Sequence, residues 1–256
     1  METRVSSRSR EVVIARDRPL VIIGERINPT GRKVLTAEMR RGAMDRVRAD
    51  ALAQAEAGAD MLDVNAGIPN GDEPKLLVAA IKAVMEATDL PLCIDSWNFD
   101  ALQAGLSAYE GRALVNSVSA EEERMASVFP LVKEHGAAVI GIVTDENGIS
   151  MDPTVRTALA RRILERAADF DIAPQDVIFD PIALPVTVDP HHLVSLETMR
   201  LIRDELGNNL VCGASNVSFR MQDRALVEAP FLSQAVSAGL TCAIMNPLRS
   251  KLQSPS

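Results

Sequence analysis

The chain has 256 residues, 47% of them apolar and 24% charged, with 14 Gly, 14 Pro and a formal net charge of −8. Ample Leu, Ile, Val and Ala with ordinary Gly and Pro usage exclude a disordered or collagen-like chain. The acidic balance excludes nucleic acid as a partner, since phosphate binding needs a basic stripe.

No apolar run approaches the roughly 20 residues that span a bilayer. Residues Met1 to Arg8 lack the apolar core of a secretory signal, so the expectation is a cytoplasmic protein with no membrane partner. Cys93, Cys212 and Cys242 each sit inside an apolar, strand-like run and read as small core residues rather than bridges. Charge is uneven along the chain: residues 1–18 hold five Arg against three acids, and Arg249 and Lys251 add positives near the other end. The middle is correspondingly acidic.

In chain order, residues 1–18 read as an N-terminal extension in which Glu11–Arg16 forms a small strand or hairpin, and residues 19–256 read as one domain. Eight β-branched runs follow: Leu20–Gly24, Met61–Val64, Leu92–Asp95, Ala113–Asn116, Ala137–Ile142, Val177–Asp180, Leu210–Gly213 and Thr241–Met245. Runs such as Val21-Ile22-Ile23 are continuously apolar rather than alternating, the pattern of parallel strands buried on both faces. Between them, apolar residues at i, i+3 and i+4 predict helices near 38–57, 73–87, 99–108, 121–134, 153–169, 193–205 and 224–238. Ser119 before Ala120-Glu121-Glu122 has capping-box spacing, and Asp152 precedes Pro153 at a helix's first position. Eight strands with intervening helices in about 250 residues fit a (β/α)8 TIM barrel better than an open doubly wound sheet. Only nine residues follow Asn246-Pro247, too few for an eighth helix of normal length, so the expectation is a barrel lacking its full C-terminal helix, either because the sequence is trimmed there or because another chain covers the gap.

The carboxyl ends of barrel strands carry the chemistry of this architecture. Here they read Glu25 and Asn28, Asp63 and Asn65, Asp95 and Ser96, Asn116 and Ser117, Thr144 and Asp145, Asp180, Ser215 and Asn216, and Asn246. Singly, each is an ordinary helix cap. So many at one end call for a ligand. Metal is not expected, because His191 and His192 are consecutive and cannot converge on a regular element. Phosphate is disfavoured, because Gly213-Ala214-Ser215-Asn216-Val217-Ser218 offers no cation. Carboxylates accept from N–H groups and carboxamides both donate and accept, which suits a flat heterocycle with an amino-amide edge such as a pterin. Asp95 or Asp180 has the geometry to take two parallel hydrogen bonds from such an edge.

Seven strings in register run from Ile23 to Ser218: Ile23-Gly24-Glu25-Arg26-Ile27-Asn28-Pro29-Thr30-Gly31, Gly58-Ala59-Asp60-Met61-Leu62-Asp63-Val64-Asn65, Cys93-Ile94-Asp95-Ser96, Val115-Asn116-Ser117, Glu134-His135-Gly136-Ala137-Ala138-Val139-Ile140-Gly141, Phe179-Asp180-Pro181 and Gly213-Ala214-Ser215-Asn216-Val217-Ser218. Through them the chain resembles the pterin-binding methyltransferases. Within that group it is most similar to the methyltetrahydrofolate:corrinoid/iron-sulfur protein methyltransferase and the folate domain of cobalamin-dependent methionine synthase. The resemblance implies a TIM barrel, usually a homodimer, that binds methyltetrahydrofolate at the strand carboxyl ends. By that resemblance Asp95, Asn116 and Asp180 hold the pterin edge, Asp63, Gly213 and Ser215 line the same pocket, and Asn216 reaches N5 as the catalytic residue. Arg224 aligns with a family arginine near the mouth, where a surface salt bridge is the alternative. The chain shows neither a corrinoid-binding Asp-x-His-x-x-Gly string nor a zinc-binding homocysteine domain, so cobalamin is expected only on a separate corrinoid protein. The implied activity is transfer of the N5 methyl between methyltetrahydrofolate and that protein's cobalt. A dihydropteroate synthase-like pterin enzyme and a non-catalytic folate-binding subunit are the alternatives.

Overall fold

The eight apolar runs become eight parallel strands arranged in a ring. The structure is a computed structural model that describes residues 1–249. In chain order it runs β1 (Thr3–Ser6), β2 (Glu11–Ile14), β3 (Val21–Ile27), α1 (Lys33–Arg40), α2 (Asp45–Glu56), β4 (Met61–Asn65), α3 (Glu73–Ala87), β5 (Leu92–Asp95), α4 (Phe99–Ala108), β6 (Leu114–Ser119), α5 (Glu122–Glu134), β7 (Ala138–Ile142), α6 (Pro153–Ala168), β8 (Val177–Asp180), α7 (Leu193–Glu205), β9 (Val211–Gly213), α8 (Ala225–Ala238) and β10 (Cys242–Met245). Strand order round the sheet is β8-β7-β6-β5-β4-β3-β10-β9. A parallel bridge between Phe179 and Leu210 joins the two edge strands, and the Phe179 amide donates to the Asn209 carbonyl at 3.0 Å. The ring is thereby brought almost to closure as a TIM barrel.

Two apolar populations follow from the alternation of side chains across each strand. Outward residues such as Ile27, Leu62, Ile94 and Phe179 pack under the helices, while Val21, Ile23, Met61, Cys93, Leu114, Ile140, Ile178 and Cys242 fill the lumen. All three cysteines are buried and unbridged. The N-terminal hairpin β1–β2 adds Val5, Val12 and Ile14 to the lumen cluster, and the Asn209 amide donates to the Ile14 carbonyl at 2.8 Å. The lumen is therefore largely apolar toward its amino-terminal end, where Thr3 and Asn209 are satisfied by hydrogen bonds, and the carboxylates gather at the strand carboxyl ends.

The structure corrects two expectations. The helix expected over 38–57 is two helices, because Gly42 takes φ +76° and its N–H returns to the Met39 carbonyl, which ends α1. Both pieces keep helical periodicity, so periodicity alone does not show the break. Ser119 is not a capping-box residue: β6 runs on to it beside β7, and α5 starts at Glu122 with Glu121 in the cap position and no side-chain cap bond. Asp152, by contrast, caps α6 as expected, accepting from the Thr154 amide at 2.8 Å. Through the split between β3 and β4 alone, the described residues hold eight α-helices rather than seven. The expectation about a helix after the last strand falls on residues 250–256, including Lys251, which lie outside the described residues.

Candidate functional site

Register places the polar strand ends on one rim. Asn65 pairs with Asp95 and Asp95 with Asn116 across β4, β5 and β6, while Ile142 pairs with Asp180 across β7 and β8. Inside that rim opens a cavity of about 400 Å3, lined by Glu25, Arg26, Asn28, Thr30, Arg32, Asp63, Asp95, Asn116, Asp180, Gly213, Ser215, Asn216, Arg224 and Ile244. All eight residues singled out from the sequence, Asp63, Asp95, Asn116, Asp180, Gly213, Ser215, Asn216 and Arg224, meet there.

The acidic wall is electrostatically costly. The Asn116 amide donates to Asp63 Oδ1 at 3.2 Å across the lumen, from a strand two places away. Burial, reinforced by the neighbouring Asp95 charge, holds the Asp63 carboxyl well above the usual carboxylate range, and the Asn116 bond works against that rise. Burial also pushes Asp95 up to about 6, opposed by a hydrogen bond from Asn65. Asp180 is pushed by burial to about 6 in the same way, and the Ile182 amide, donating to its Oδ1 at 2.7 Å, opposes the rise. Glu25 is raised by burial and restrained by the Ser215 hydroxyl, which donates to its Oε1 at 2.9 Å. Packing four carboxyls at one end is unfavourable until something donates hydrogen bonds to them.

The opposite wall is a 3-10 turn, Ala214–Ser218, that follows β9 directly. A side chain at Gly213 would displace the Asn216 amide, because a Cβ there would lie 2.8 Å from Asn216 Nδ2. The Asn216 amide thus lies against bare backbone and faces the cavity. Arg224 locks the turn: its guanidinium donates to the Ser215 carbonyl and to Ser218 Oγ, and pairs with Glu228 at 3.2 Å. Arg224 lines the cavity, and its salt bridge is to the buried Glu228 rather than at the surface.

Several strand-end residues named from the sequence do ordinary turn duty instead. Asn65 Oδ1 accepts from the Gly67 amide at 2.9 Å, Ser96 Oγ from Asn98, Asp145 Oδ1 from Asn147 and Asn246 Oδ1 from Leu248. Sequence reasoning named Glu25 and Asn28 in the ring without assigning them, and passed over Arg26, Thr30 and Arg32 although they lie in or beside the first matching string. It also missed Arg156. This fully buried residue of α6 donates to the Pro181 and Ile182 carbonyls at 2.7 and 3.1 Å. It thereby holds Ile182 at φ +61°, a left-handed backbone that a β-branched residue adopts only under restraint. That conformation aims the Ile182 N–H at Asp180.

The family profile described as pterin binding enzyme matches residues 24–246, nearly the whole barrel. The chain belongs to the pterin binding enzyme family. Among curated relatives of this pterin-binding chain, the methylcorrinoid:tetrahydrofolate methyltransferase of Eubacterium limosum is 29% identical over 237 residues, covering 89% of this chain and 85% of that protein. The methionine synthase of Mycobacterium tuberculosis is 27% identical over 96% of this chain, which spans only 22% of that protein's length. Among solved structures, dihydropteroate synthase from Xanthomonas albilineans in complex with 7,8-dihydropteroate superposes with a TM-score of 0.72 at 19% identity, covering 98% of this chain and all of that one. The dihydropteroate synthase of Thermus thermophilus gives a TM-score of 0.70, again at 19% identity, covering 96% of this chain and 94% of that one. At those identities the structures share the fold alone.

Proposed function

We propose that this pterin binding enzyme moves the N5 methyl group between methyltetrahydrofolate and the cobalt of a separate corrinoid protein. The observation that carries this reading is the convergence of Asp63, Asp95, Asn116 and Asp180 on one cavity whose facing wall presents the Asn216 amide. Asp95 and Asp180 supply ionised acceptors for the N–H groups of the aminopyrimidinone edge. Asp63, which keeps its proton most strongly, sits beside Asn116 as a neutral partner for the ring's carbonyl side. The corrinoid partner supplies cobalt(I) as the nucleophile, so the chain itself need only orient the donor and ease departure from N5. When the methyl–N5 bond breaks, N5 keeps the bonding pair and takes up a proton. Asn216, rotating its amide to donate, then strengthens its contact as that electron pair appears, which is stabilisation specific to the transition state.

The E. limosum relative's name, methylcorrinoid:tetrahydrofolate methyltransferase, supports the substrate pair. The dihydropteroate synthase alternative requires a site for departing pyrophosphate. Arg32 and Arg224, two of the three arginines lining the cavity, are instead tied to Asp50 and Glu228, which leaves Arg26 as the single unpaired guanidinium among the described residues there to meet two phosphates. The test is methyl transfer from methyltetrahydrofolate to cob(I)alamin or a corrinoid protein, followed by loss of the cobalt(I) absorbance. Asn216→Ala is expected to lower kcat by about 10- to 100-fold, the loss of one charge-assisted contact, with KM nearly unchanged. Folate binding with no transfer to any corrinoid acceptor would leave only the folate-binding subunit. Turnover of a dihydropterin pyrophosphate with 4-aminobenzoate would instead establish the synthase.

A further inference from the structure

Three arginines line the cavity, and two are already satisfied. Arg32 reaches Asp50 with both terminal nitrogens, at 2.6 and 3.2 Å, and Arg224 is held by Ser218 and Glu228. Arg26 differs. Its backbone is anchored, the N–H donating to Gln54 Oε1 at 2.8 Å and the carbonyl accepting from Arg32. Yet among the described residues its half-buried guanidinium makes no ion pair and no hydrogen bond within the protein. Partial burial, then the nearby Arg32 charge, lower its pKa, and the Asp50 and Glu25 charges offset only part of that cost, which a bound anion would relieve further. A guanidinium carries five donors in a rigid fork, the shape that matches a carboxylate.

The cavity is also polarised between its two aspartates and Arg26, although the Glu25 carboxyl shares the Arg26 strand. Asp95 and Asp180 stand on β5 and β8, whereas Arg26 stands on β3, two strands from the first and three from the second round the ring. Folate has the reverse polarity along its length, with N–H donors on the pterin edge and two carboxylates on the glutamate at the far end. We propose that Arg26 binds the glutamate carboxylate of the folate tail, so that the site distinguishes tail-bearing folates from bare tetrahydropterins. This inference rests on the folate reading above. It deepens that reading by assigning a second, anion-specific end to the cavity.

The experiment compares two ligands by calorimetry, methyltetrahydrofolate and a 5-methyl-tetrahydropterin without the aminobenzoylglutamate tail, on wild type, Arg26→Gln and Arg26→Lys. Wild type is expected to prefer the tail-bearing ligand by about tenfold, the low end for a charge-assisted hydrogen bond in a partly exposed setting. Arg26→Gln removes that preference and keeps the tail-free affinity, which doubles as the check that the variant is folded. Arg26→Lys, a point charge without the fork, retains part of the preference. Added salt narrows the gap in wild type and leaves it unchanged in Arg26→Gln. Equal losses for both ligands in Arg26→Gln would overturn the tail assignment and make Arg26 a structural or pterin contact. Equal affinity of wild type for the two ligands would overturn it while leaving the folate reading intact. Failure of wild type to bind either ligand would sink both.

Discussion

Asp180 ties stability and binding together in opposite senses, and Asp180→Asn separates them. In the free protein, burial lifts this carboxyl from the 3.8 of an unperturbed Asp to about 6. The unfolded chain therefore releases its proton about two pH units earlier than the folded one, and stability falls as pH rises between those values. At ~1.36 kcal/mol per pH unit the penalty is about 3 kcal/mol at pH 7.5, trimmed to about 2 where cavity water screens the charge. Asparagine removes the charge and keeps an oxygen to accept from the Ile182 amide now 2.7 Å away. The ligand-free variant should therefore melt about 4–8 °C above wild type at pH 7.5, given ~2–4 °C per kcal/mol for a domain near this size. The advantage should shrink to about half at pH 5, where folded wild type is mostly protonated already, and should nearly vanish at pH 4. Pterin affinity should move the other way, falling by about 10- to 150-fold for loss of an ionised, bidentate acceptor. Differential scanning calorimetry at three pH values with binding titrations reads both effects. A melting temperature at or below wild type at pH 7.5, or an advantage independent of pH, would refute the claim that Asp180 is held ionised at a cost.

The same carboxylates predict how affinity depends on pH. Asp95 and Asp180 both titrate at about 6 in the free protein and must be ionised to accept N–H groups, so methyltetrahydrofolate should bind about 4- to 15-fold more weakly at pH 5.5 than at pH 7.5. A flat calorimetric profile would exclude ionised carboxylates as the acceptors. Gly24→Ala probes the wall behind the site, because the new Cβ would lie 2.5 Å from Oε1 of Gln54, whose side chain is fully buried and anchors the Arg26 backbone. An overpacking cost of about 1–3 kcal/mol should appear as a lower melting temperature, and an unchanged one would show that Gln54 moves aside freely.

The barrel was legible because its strands are buried on both faces. Val21-Ile22-Ile23 and Ala138-Val139-Ile140 carry no polar residue to mistake for a loop, and the polar residues Asp95, Asn116 and Asp180 at the ends of their runs mark the rim. What the sequence concealed is decided by direction rather than by residue type. Asp63 and Asn65 lie two residues apart on β4 and so share a face, yet Asp63 meets Asn116 across the lumen while Asn65 Oδ1 caps the turn at Gly67, a difference of partners that residue type does not show. Arg156 sits in an amphipathic helix where an arginine ordinarily faces water, and only the tertiary fold shows it fully buried under the loop after β8. The break between α1 and α2 turns on the backbone angle of Gly42, which hydrophobic periodicity does not register. Arg26 went unassigned because its distinction is the lack of a partner, a property visible only once its neighbours are placed.

The hairpin β1–β2 turns the barrel into a cup with a single door. Val5, Val12 and Ile14 stopper the lumen beneath Val21, Ile23 and Met61, so nothing enters or leaves through the floor. On the proposed reaction, methyl donor and methyl acceptor then share the one opening, and a corrinoid protein seated over it closes the exit for the folate beneath. Such a cup imposes traffic order. The small substrate enters first, the large partner docks second and must depart before the demethylated folate can leave, so an excess of corrinoid protein should trap product and slow steady-state turnover without changing the rate of a single transfer.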